Sequence, residues 1–435
     1  MISFTSLFLG LVLGAQTIQL AVADGVERVD LHLDGQIIGT LDSEPWTLEY
    51  DFGQELAPHE MLAIAFDNDN EEVGRAQQWI NLPRQPAEAE LILGATDSGD
   101  SRTAHLTWES LAGANPTSIR IYFDGQALDV PDPREFELPP HHPGQIHFLR
   151  AELEFAESIT SVVEAIFGGT YADRVSTELT AVPVRLDKGV ADPAPEDLEG
   201  LFLSGDRSLR VAAIETGVAD IVMVRDPSTQ ASIDEQRRPA GYNPTFARSG
   251  AASTGATKRA QDWRLQFLWP VPRRHASVQG LYDLFPPSTV LTSQHGDLLQ
   301  LMTHARLWPD PRDKQRLADA VAVAGITATG GRSRRAVVLY LGDQRQDDSN
   351  LTAAQVRRFL ERLQVPLYVW TTTRPKDLES TWGKASKVVS YAQIEGAWRR
   401  LKKDLERQRV VWVSGIHLPQ EIELAPEAEG FSLAR

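Results

Sequence analysis

Residues 334–372 read RRAVVLYLGDQRQDDSNLTAAQVRRFLERLQVPLYVWTT, and this stretch decides the fold of the C-terminal half of the chain. Two continuous apolar runs, AVVLYL (336–341) and VPLYVWTT (365–372), flank a segment over 352–364 in which apolar residues recur at helical spacing. Uninterrupted apolar strands are typical of a parallel sheet that is buried on both faces. The stretch therefore predicts a strand–helix–strand unit of an α/β domain.

The same alternation continues on both sides of this unit. Strands are predicted over 209–215, 220–226, 264–269 and 410–416, and helices over 296–308, 314–325 and 394–409. Alternating strands and helices with buried strands predict an open, mostly parallel, Rossmann-type sheet with helices on both faces. We place this α/β domain at residues 205–420 and a C-terminal tail at 421–435.

The N-terminal half contains a tandem repeat. VDLHLDGQ (29–36) resembles IRIYFDGQ (119–126), and the two Asp-Gly pairs are 90 residues apart. The strands alternate apolar and polar residues, and the Asp-Gly pairs favour tight hairpin turns. Each copy predicts an all-β immunoglobulin-like sandwich. We place the first at residues 1–86, the second at 87–186, and a linker at 187–204, where proline, glycine and acidic residues replace the apolar pattern.

Two interpretations of the N-terminal residues stay open. Residues 2–23 are uncharged and end in Ala-Val-Ala, which fits a signal-peptide cleavage site after residue 23. However, no Lys or Arg precedes the apolar run, and residues 7–22 align with 91–108 of the second copy, which predicts the first two strands of a sandwich instead. In the rest of the chain, no apolar stretch reaches the roughly 18 residues that predict a membrane span.

Composition narrows the classes of function. The chain has no cysteine, which excludes disulfides, thiolate metal sites and cysteine nucleophiles. Its net charge of −17 is divided unevenly, because residues 1–200 hold 35 acidic against 10 basic residues and the remainder holds 25 against 33. The basic half has no dense Lys/Arg tract with interleaved aromatic residues, so nucleic acid is not expected as a partner.

One loop motif carries a resemblance to a known family. The strand over 220–226 ends in Asp226, and Ser228 follows, so residues 226–230 form most of a D-x-S-x-S loop in which Gln230 replaces the second serine. Together with RLADAVAVAG (316–325), RRAVVLYLGDQRQDDS (334–349) and the helix and strand that follow, this loop resembles the von Willebrand factor A domain. More narrowly, the chain is similar to exported bacterial proteins that carry such a domain behind immunoglobulin-like modules.

The resemblance implies a site for Mg²⁺ or Mn²⁺ that an acidic residue of a protein partner completes. Its ligands would be an Asp and two Ser of the first loop, a Thr of the second and an Asp of the third, all of them hard oxygen donors. Asp226 and Ser228 match, whereas the other three positions hold Gln230, Gln315 and Gly342, with Asp343 one residue late. We expect a degenerate site without metal, in which Asp226 and Ser228 serve as a turn or helix cap. The alternative is residual binding through Asp226, Ser228 and Asp343.

Segment 227–260 departs from the family pattern, because it is rich in Ser, Thr, Ala, Gly and Pro and lacks helical periodicity. It predicts a long loop over the ligand face. The candidate partner-binding residues in it are Pro227, Arg237, Arg238, Tyr242 and Phe246.

Two further patterns are weak. Residues 250–255 resemble the start of a phosphate-binding loop, but Ala256 stands where its Lys belongs. His141, His142 and His147 lie among Pro and Gly residues, which favours a loop of the second sandwich over a metal site.

The sequence thus favours a non-enzymatic protein that serves in protein–protein interaction, adhesion or assembly, exported to the periplasm or the cell surface, with no cofactor. Mg²⁺-dependent adhesion is the first alternative, and a structural spacer is another. A hydrolase is the most remote alternative, since no nucleophile–base pattern is recognisable.

Overall fold

The computed structural model describes most of residues 2–435. The residues outside the description are 1, 7, 9, 24, 84–86, 95–102, 111–114, 125, 142–146, 156–159, 168–178, 231–262, 275–281, 293–297, 299–300, 303–313, 332, 344–346 and 374–377. The chain forms two compact units. The first comprises Met1–Pro83, Thr180–Val413 and His417–Arg435, and the second comprises Arg84–Leu179 with Ser414–Ile416.

The first β-sandwich occupies residues 2–80. Its strands are β1 (Ile2–Phe4), β2 (Ala15–Val22), β3 (Arg28–Leu33), β4 (Gln36–Leu41), β5 (Thr47–Asp51), β6 (His59–Phe66) and β7 (Glu72–Ile80). One sheet has the order β1-β2-β5 and the other β4-β3-β6-β7. Ile18, Leu31 and Met61 are fully buried in its core. The strand interpretation of the N-terminus therefore applies to β2, which supplies core residues. Residues 8 and 10 lie outside strands, so the second N-terminal strand is β1 and not the strand predicted to start at residue 7.

The second sandwich repeats this arrangement. Its strands are β8 (Ala87–Gly94), β9 (Thr103–Ser110), β10 (Ser118–Phe123), β11 (Gln126–Leu128), β12 (Glu135–Glu137), β13 (His147–Glu154) and β14 (Thr160–Phe167), in sheets β12-β9-β8 and β11-β10-β13-β14. Asp34 and Asp124 start the equivalent hairpin turns and both have positive φ, 50° and 48°. Each accepts a hydrogen bond from a histidine Nδ1 at the start of a following strand, His59 at 2.7 Å and His147 at 2.8 Å.

The predicted linker contains regular structure. Residues 179–215 form β15 (Leu179–Leu186), β16 (Phe202–Ser204), β17 (Arg207–Ser208) and β18 (Val211–Glu215), with a 3-10 turn at Pro195–Leu198. The prediction of a linker over 187–204 is wrong, because Leu198 and Phe202 are buried in a third hydrophobic core. These two side chains are too widely spaced to give a periodic pattern in the sequence.

An α/β domain follows. Its strands are β19 (Ala219–Arg225), β20 (Trp263–Leu268), β21 (Arg273–Arg274), β22 (Tyr282–Asp283), β23 (Leu291–Thr292), β24 (Arg334–Leu341), β25 (Leu367–Thr371) and β26 (Ala385–Lys387). Its helices are α1 (Leu317–Thr329), α2 (Ala353–Arg362), α3 (Leu378–Trp382) and α4 (Tyr391–Leu405). Of the helix predicted over 296–308, only residues 298, 301 and 302 are described. No helix of the described residues has the length and apolar character to cross a membrane.

The domain's main sheet has six strands in the order β23-β20-β19-β24-β25-β26, parallel except for β23. Helices α1 and α2 cover one face, where Val222 and Leu339 meet Phe359. Helix α4 covers the other, where Met223 and Val338 meet Leu401. Because β24 is buried on both faces at all eight positions, its sequence is continuously apolar after Arg335.

The last strands return to the third core. They are β27 (Gln408–Ser414), β28 (Ile422–Leu424) and β29 (Phe431–Leu433). Sheets β18-β27-β15-β29 and β17-β16-β28 enclose Phe202, Val411 and Ile422. The prediction of a tail over 421–435 is therefore wrong, because two of these strands pair with elements more than 200 residues earlier. Since β18 pairs with β27, the α/β domain starts and ends on neighbouring strands of this module.

The first sandwich also contacts helix α2. Leu56 is fully buried in the core that α1 and α2 share, and its carbonyl oxygen accepts a hydrogen bond from Arg362 Nη1 at 2.8 Å. Glu55 pairs with Arg358 at 2.6 Å. Burial of Leu56 stabilises this contact more than the exposed ion pair does, since exposed pairs contribute little.

Candidate functional site at the carboxyl end of the sheet

The candidate site lies where the strand order reverses. From β19 the chain proceeds outward to β20 and β23, then returns to β24 on the other side of β19. The connections that follow β19 and β24 therefore run in opposite directions from the carboxyl ends of these two neighbouring strands. This is the position at which open α/β sheets bind ligands. Asp226 follows β19 and Gly342 follows β24, and Asp226 N donates to Tyr340 O at 2.9 Å.

The carboxylate of Asp226 connects three segments of the chain. Its Oδ1 accepts hydrogen bonds from Ser228 N at 2.9 Å and Gln315 Nε2 at 3.2 Å, and its Oδ2 accepts one from Gly342 N at 2.9 Å. The Asp226 side chain is fully buried. The first bond is an Asx turn within the loop, and the other two join the loop to residues 89 and 116 positions later.

Burial and hydrogen bonding act in opposite directions on the ionisation of Asp226. Burial raises the pKa of this carboxyl above its ordinary value of 3.8, and the hydrogen bonds from Ser228, Gly342 and Gln315 lower it by less. The N–H donors therefore compensate only part of the desolvation of the charge.

Gly342 leaves space that Ser228 fills. A Cβ atom at position 342 would overlap Ser228 Oγ and lie 2.9 Å from Thr229 N. An aspartate, the residue that the family resemblance requires in the third loop, therefore does not fit at position 342 in this arrangement. The neighbouring Asp343 is exposed.

Gln230 faces a buried cation. Its Oε1 accepts a hydrogen bond from Arg225 Nη2 at 2.5 Å, and Arg225 also donates to Thr229 Oγ1 at 3.1 Å and Met302 O at 2.6 Å. Arg225 is fully buried, and its guanidinium lies 5.2 Å from the centre of the Trp269 ring. The amide oxygen that would have to replace the serine ligand thus already accepts a hydrogen bond from a positively charged group.

Gln315 acts as a donor where the resemblance requires an oxygen ligand. Its Nε2 group donates to Asp226, and its backbone oxygen accepts from Asp348 N at 2.7 Å. Its Oε1 is buried and has no hydrogen-bond partner among the described residues. The second loop therefore directs an N–H group at the carboxylate, which is the wrong polarity for cation binding.

The structure brings Asp226, Ser228 and Gln315 together and directs Gln230 and Asp343 elsewhere. Pro227 lies in the half-buried first turn. Arg237, Arg238, Tyr242 and Phe246 lie outside the described residues, as does most of the predicted 227–260 loop. Mg²⁺ requires near-octahedral oxygen ligands at about 2.1 Å. An aspartate surrounded by N–H donors does not fit that requirement.

Three functionally placed residues were missed in the sequence. Asp347 accepts hydrogen bonds from Leu317 N at 2.9 Å and Ala318 N at 3.3 Å, so it caps α1 from the third loop. Asp319 of α1 returns the contact by accepting from Leu351 N at 3.0 Å. Arg225 is the third. The Asp347-Asp348-Ser349 run signals a cap, but its helix is 30 positions away in the chain.

The histidine group of the second sandwich is also engaged locally. His141 and His147 have ring centres 5.0 Å apart, and His141 Nδ1 lies 2.8 Å from Pro139 O. His142 lies outside the described residues. Across the part of the chain that is described, no group of three or more His, Asp or Glu side chains has a geometry that could hold a metal ion.

Comparisons with known proteins give a limited result. No family model matches the chain, and no curated protein matches it. Among solved structures, fibronectin(III)-like modules of Clostridium thermocellum CbhA match with 25% identity over 18% of this chain and 93% of theirs, at a TM-score of 0.17. The central fibronectin-III array of RIM-binding protein matches with 10% identity over 44% of this chain and 80% of its own, at a TM-score of 0.24. A β-glucuronidase of Parabacteroides merdae matches with 11% identity over 38% of this chain and 24% of its own, at a TM-score of 0.16. TM-scores this low carry no argument about this chain.

Proposed function

We propose that this chain is a non-enzymatic module for protein–protein interaction or assembly, and that its α/β domain is of the von Willebrand A type with a ligand face that works without metal. The observation that carries the proposal is the set of three N–H donors on the Asp226 carboxylate. The strand order supports the domain type, because the D-x-S segment follows the central strand β19 directly at the switch point.

The polarity of the site supports the proposed metal independence. A cation would need the Asp226 lone pairs that Ser228 N, Gln315 Nε2 and Gly342 N now occupy. The guanidinium of Arg225 adds a buried positive charge beside the same loop and takes the Gln230 oxygen. Each feature lowers the affinity for a divalent ion, and Mg²⁺ sites of this open kind are weak even with all their ligands.

A structural role for Asp226 also argues against catalysis. A general acid or base must reach a proton of the substrate within about 3 Å. Asp226 is fully buried and accepts hydrogen bonds from Ser228, Gly342 and Gln315 within the protein, so it is not available to a substrate. We assign it to holding three loops in fixed positions. Their exposed residues, among them Asp343 and the ion pair of Lys314 with Asp348, then form a rigid surface for a partner.

Calorimetric titration of the full chain with Mg²⁺ and with Mn²⁺ tests metal independence. We expect no saturable binding up to about 10 mM and no change in melting temperature. A site with a Kd of about 1 mM would stabilise the folded state by about 1.4 kcal/mol at that concentration. Asp226→Asn and Asp343→Asn serve as controls. Saturable binding that Asp226→Asn abolishes would favour Mg²⁺-dependent adhesion through Asp226, Ser228 and Asp343.

Binding of a purified partner to the immobilised chain tests the choice of face. We expect the same affinity in EDTA and in Mg²⁺, and weaker binding to a Lys314→Glu/Asp343→Lys variant, which changes charge on the exposed rim alone. A partner that binds this variant as tightly as the wild type contradicts the assignment of the interaction to this face.

A further inference from the structure

On the outward face of one sheet in the first sandwich, strand β6 is apolar, whereas its neighbours β3 and β7 carry Asp30, His32 and Arg75 there. Strand β6 has Met61, Ala63 and Ala65 buried in the core, and between them Leu62, Ile64 and Phe66 point to the other side and are half-buried. Outward positions of an antiparallel sheet are normally polar because they face water. Leu62, Ile64 and Phe66 therefore depart from the alternation that a sandwich requires.

Edge strand β4 extends this face. Ile37 lies opposite His32, which separates it from Leu62 on the outward side of β3, and is 63% exposed, the largest exposure among the large apolar side chains described. Strand β4, QIIGTL, contains no charged residue. Edge strands without charges are templates for contact with another chain. We call Ile37, Leu62, Ile64 and Phe66 the outer strip.

The second sandwich provides an internal comparison. Its β10–β13 pairing, with Ile121 opposite Ala151, matches the β3–β6 pairing, with Leu31 opposite Ala63. This register makes Leu62, Ile64 and Phe66 equivalent to Arg150, Glu152 and Glu154, respectively.

In the second copy these positions are ionic. Arg150 donates to Glu152 at 2.7 Å, and Arg120 donates to Glu154 at 2.5 Å. The fold therefore accepts charged residues at all three positions, so the apolar residues of the first copy are not a requirement of its architecture.

Charge determines what can cover the outer strip. Residues 1–83 contain 14 acidic residues and two basic ones, a balance of −12. Both arginines are already engaged beside the strip. Arg28 lies 4.3 Å above the Phe66 ring and donates to Asn70 at 2.6 Å, and Arg75 pairs with Glu72 at 2.7 Å. The sandwich as a whole therefore carries unbalanced negative charge, and its outer strip is flanked by Asp30 and Glu72 as well as by these two arginines.

We propose that the outer strip is a docking surface for a partner protein whose contact region is apolar and bordered by Lys and Arg. An apolar centre with a charged rim is the usual composition of a specific interface. The negative field accelerates the approach of a cationic partner. It disfavours a second copy of this chain in the same place, since two surfaces of −12 would face each other. This surface is separate from the carboxyl-end face of the α/β domain.

Binding of a synthetic peptide to the full chain tests the proposal. The probe is a labelled 11-residue peptide of alternating Leu and Lys, which forms a strand with one apolar and one cationic face, and its binding is followed by fluorescence anisotropy. The comparison peptides alternate Leu with Glu and Ser with Lys. We expect the Leu/Lys peptide to bind at least about tenfold more tightly than either of them, and its affinity to fall with added salt.

Two sets of variants locate the binding. Leu62→Thr/Ile64→Thr removes apolar surface without a change in charge and places β-branched threonine, which favours strands, at both positions. It should weaken binding of the Leu/Lys peptide at least about tenfold. Arg150→Thr/Glu152→Thr is the matched control at the equivalent positions of the second sandwich and should leave the affinity unchanged. Ile37→Thr is a second test that does not alter packing, because this side chain is largely exposed.

Three results would overturn the proposal. Equal affinity of the wild type and both strip variants would place the peptide elsewhere on the acidic surface. Equal binding of the Ser/Lys peptide would reduce the interaction to charge. Concentration-dependent dimerisation in sedimentation experiments, lost in Leu62→Thr/Ile64→Thr, would make a second copy the occupant.

Discussion

Replacement of Asp226 by alanine tests whether this carboxylate holds the three loops together. The variant removes the acceptor of Ser228 N, Gln315 Nε2 and Gly342 N. A buried donor left without a partner costs about 1–3 kcal/mol. Gly342 N is buried, whereas water can reach the other two donors in part, because Ser228 and Gln315 are half-buried. Loss of the buried charge offsets some of the cost. We expect the free energy of unfolding to fall by about 2–4 kcal/mol.

Asp343→Ala is the matched control for this experiment. Asp343 is the neighbouring candidate ligand and is exposed, so its removal should change stability by less than about 0.5 kcal/mol. Urea unfolding of the full chain followed by tryptophan fluorescence measures the difference, because seven of the ten tryptophans lie after residue 260. Since the chain has several domains, each transition is fitted separately and compared with circular dichroism. Equal effects of the two variants, or a negligible effect of Asp226→Ala, would refute the structural role of Asp226.

Four further predictions follow from particular contacts. Gly342→Ala should lower stability by about 1–3 kcal/mol, because its Cβ would overlap Ser228 Oγ, and urea unfolding measures the loss. Phe202→Ala should cost about 3–5 kcal/mol because Phe202 is fully buried in the third core, whereas Val190→Ala, at an exposed position of the segment 187–204, should be neutral in the same assay. Tyr340→Phe should leave stability unchanged or raise it by about 1 kcal/mol, because the hydroxyl is buried and has no hydrogen-bond partner among the described residues. The melting temperature of the variant compared with that of the wild type measures this change. The pKa of Asp226 is raised in the folded state, so this residue stabilises the fold fully below the ordinary pKa of 3.8 and loses that contribution as the pH rises through the raised pKa. The loss of unfolding free energy caused by Asp226→Ala should therefore be larger at acidic than at neutral pH, which urea unfolding at several pH values measures.

Local patterns were sufficient for the elements that bury a regular face. The alternation in β3 and the continuous apolar sequence of β24 reflect burial on one face and on two, respectively. The start of α2 is also determined locally, since Thr352 and Gln355 form a capping box. In each case the residues that determine the structure lie within about one turn or one strand of each other.

The third β module could not be predicted in this way. Strand β16 has three residues and pairs with β28, so Phe202 lies opposite Leu424 at the other end of the chain. Neither strand is long enough to show a period, and the prolines and acidic residues between them resemble a linker. This core forms only when two segments more than 200 residues apart pair with each other. A local sequence pattern contains only one of these segments and therefore cannot predict the core.

The location of the candidate site was predicted from the sequence, but the roles of its individual residues were not. Asp226 is located by the end of an apolar strand, and its burial follows from that. Whether Gln315 donates to Asp226 or ligates a cation depends on the orientation of an amide, and the sequence does not encode this separately. Arg225 was overlooked because a charged residue at the end of a strand is usually exposed, whereas this one is fully buried against Trp269 and the Gln230 amide.

The hydrogen bonds around Asp226 and a bound cation exclude each other, and the magnitudes favour the hydrogen bonds. A cation at the carboxylate would displace three N–H donors, and leaving them unpaired costs up to about 3 kcal/mol at about 1 kcal/mol each, less where water reaches Ser228 and Gln315. Subtracted from the roughly 4 kcal/mol of a site with a Kd of about 1 mM, this cost leaves about 1 kcal/mol, a Kd on the order of 0.2 M that millimolar Mg²⁺ does not occupy. The same ion would also find no side-chain oxygen at Gly342. Metal binding at this place would therefore require new positions for all three loops, and single substitutions such as Gln315→Thr should not restore it.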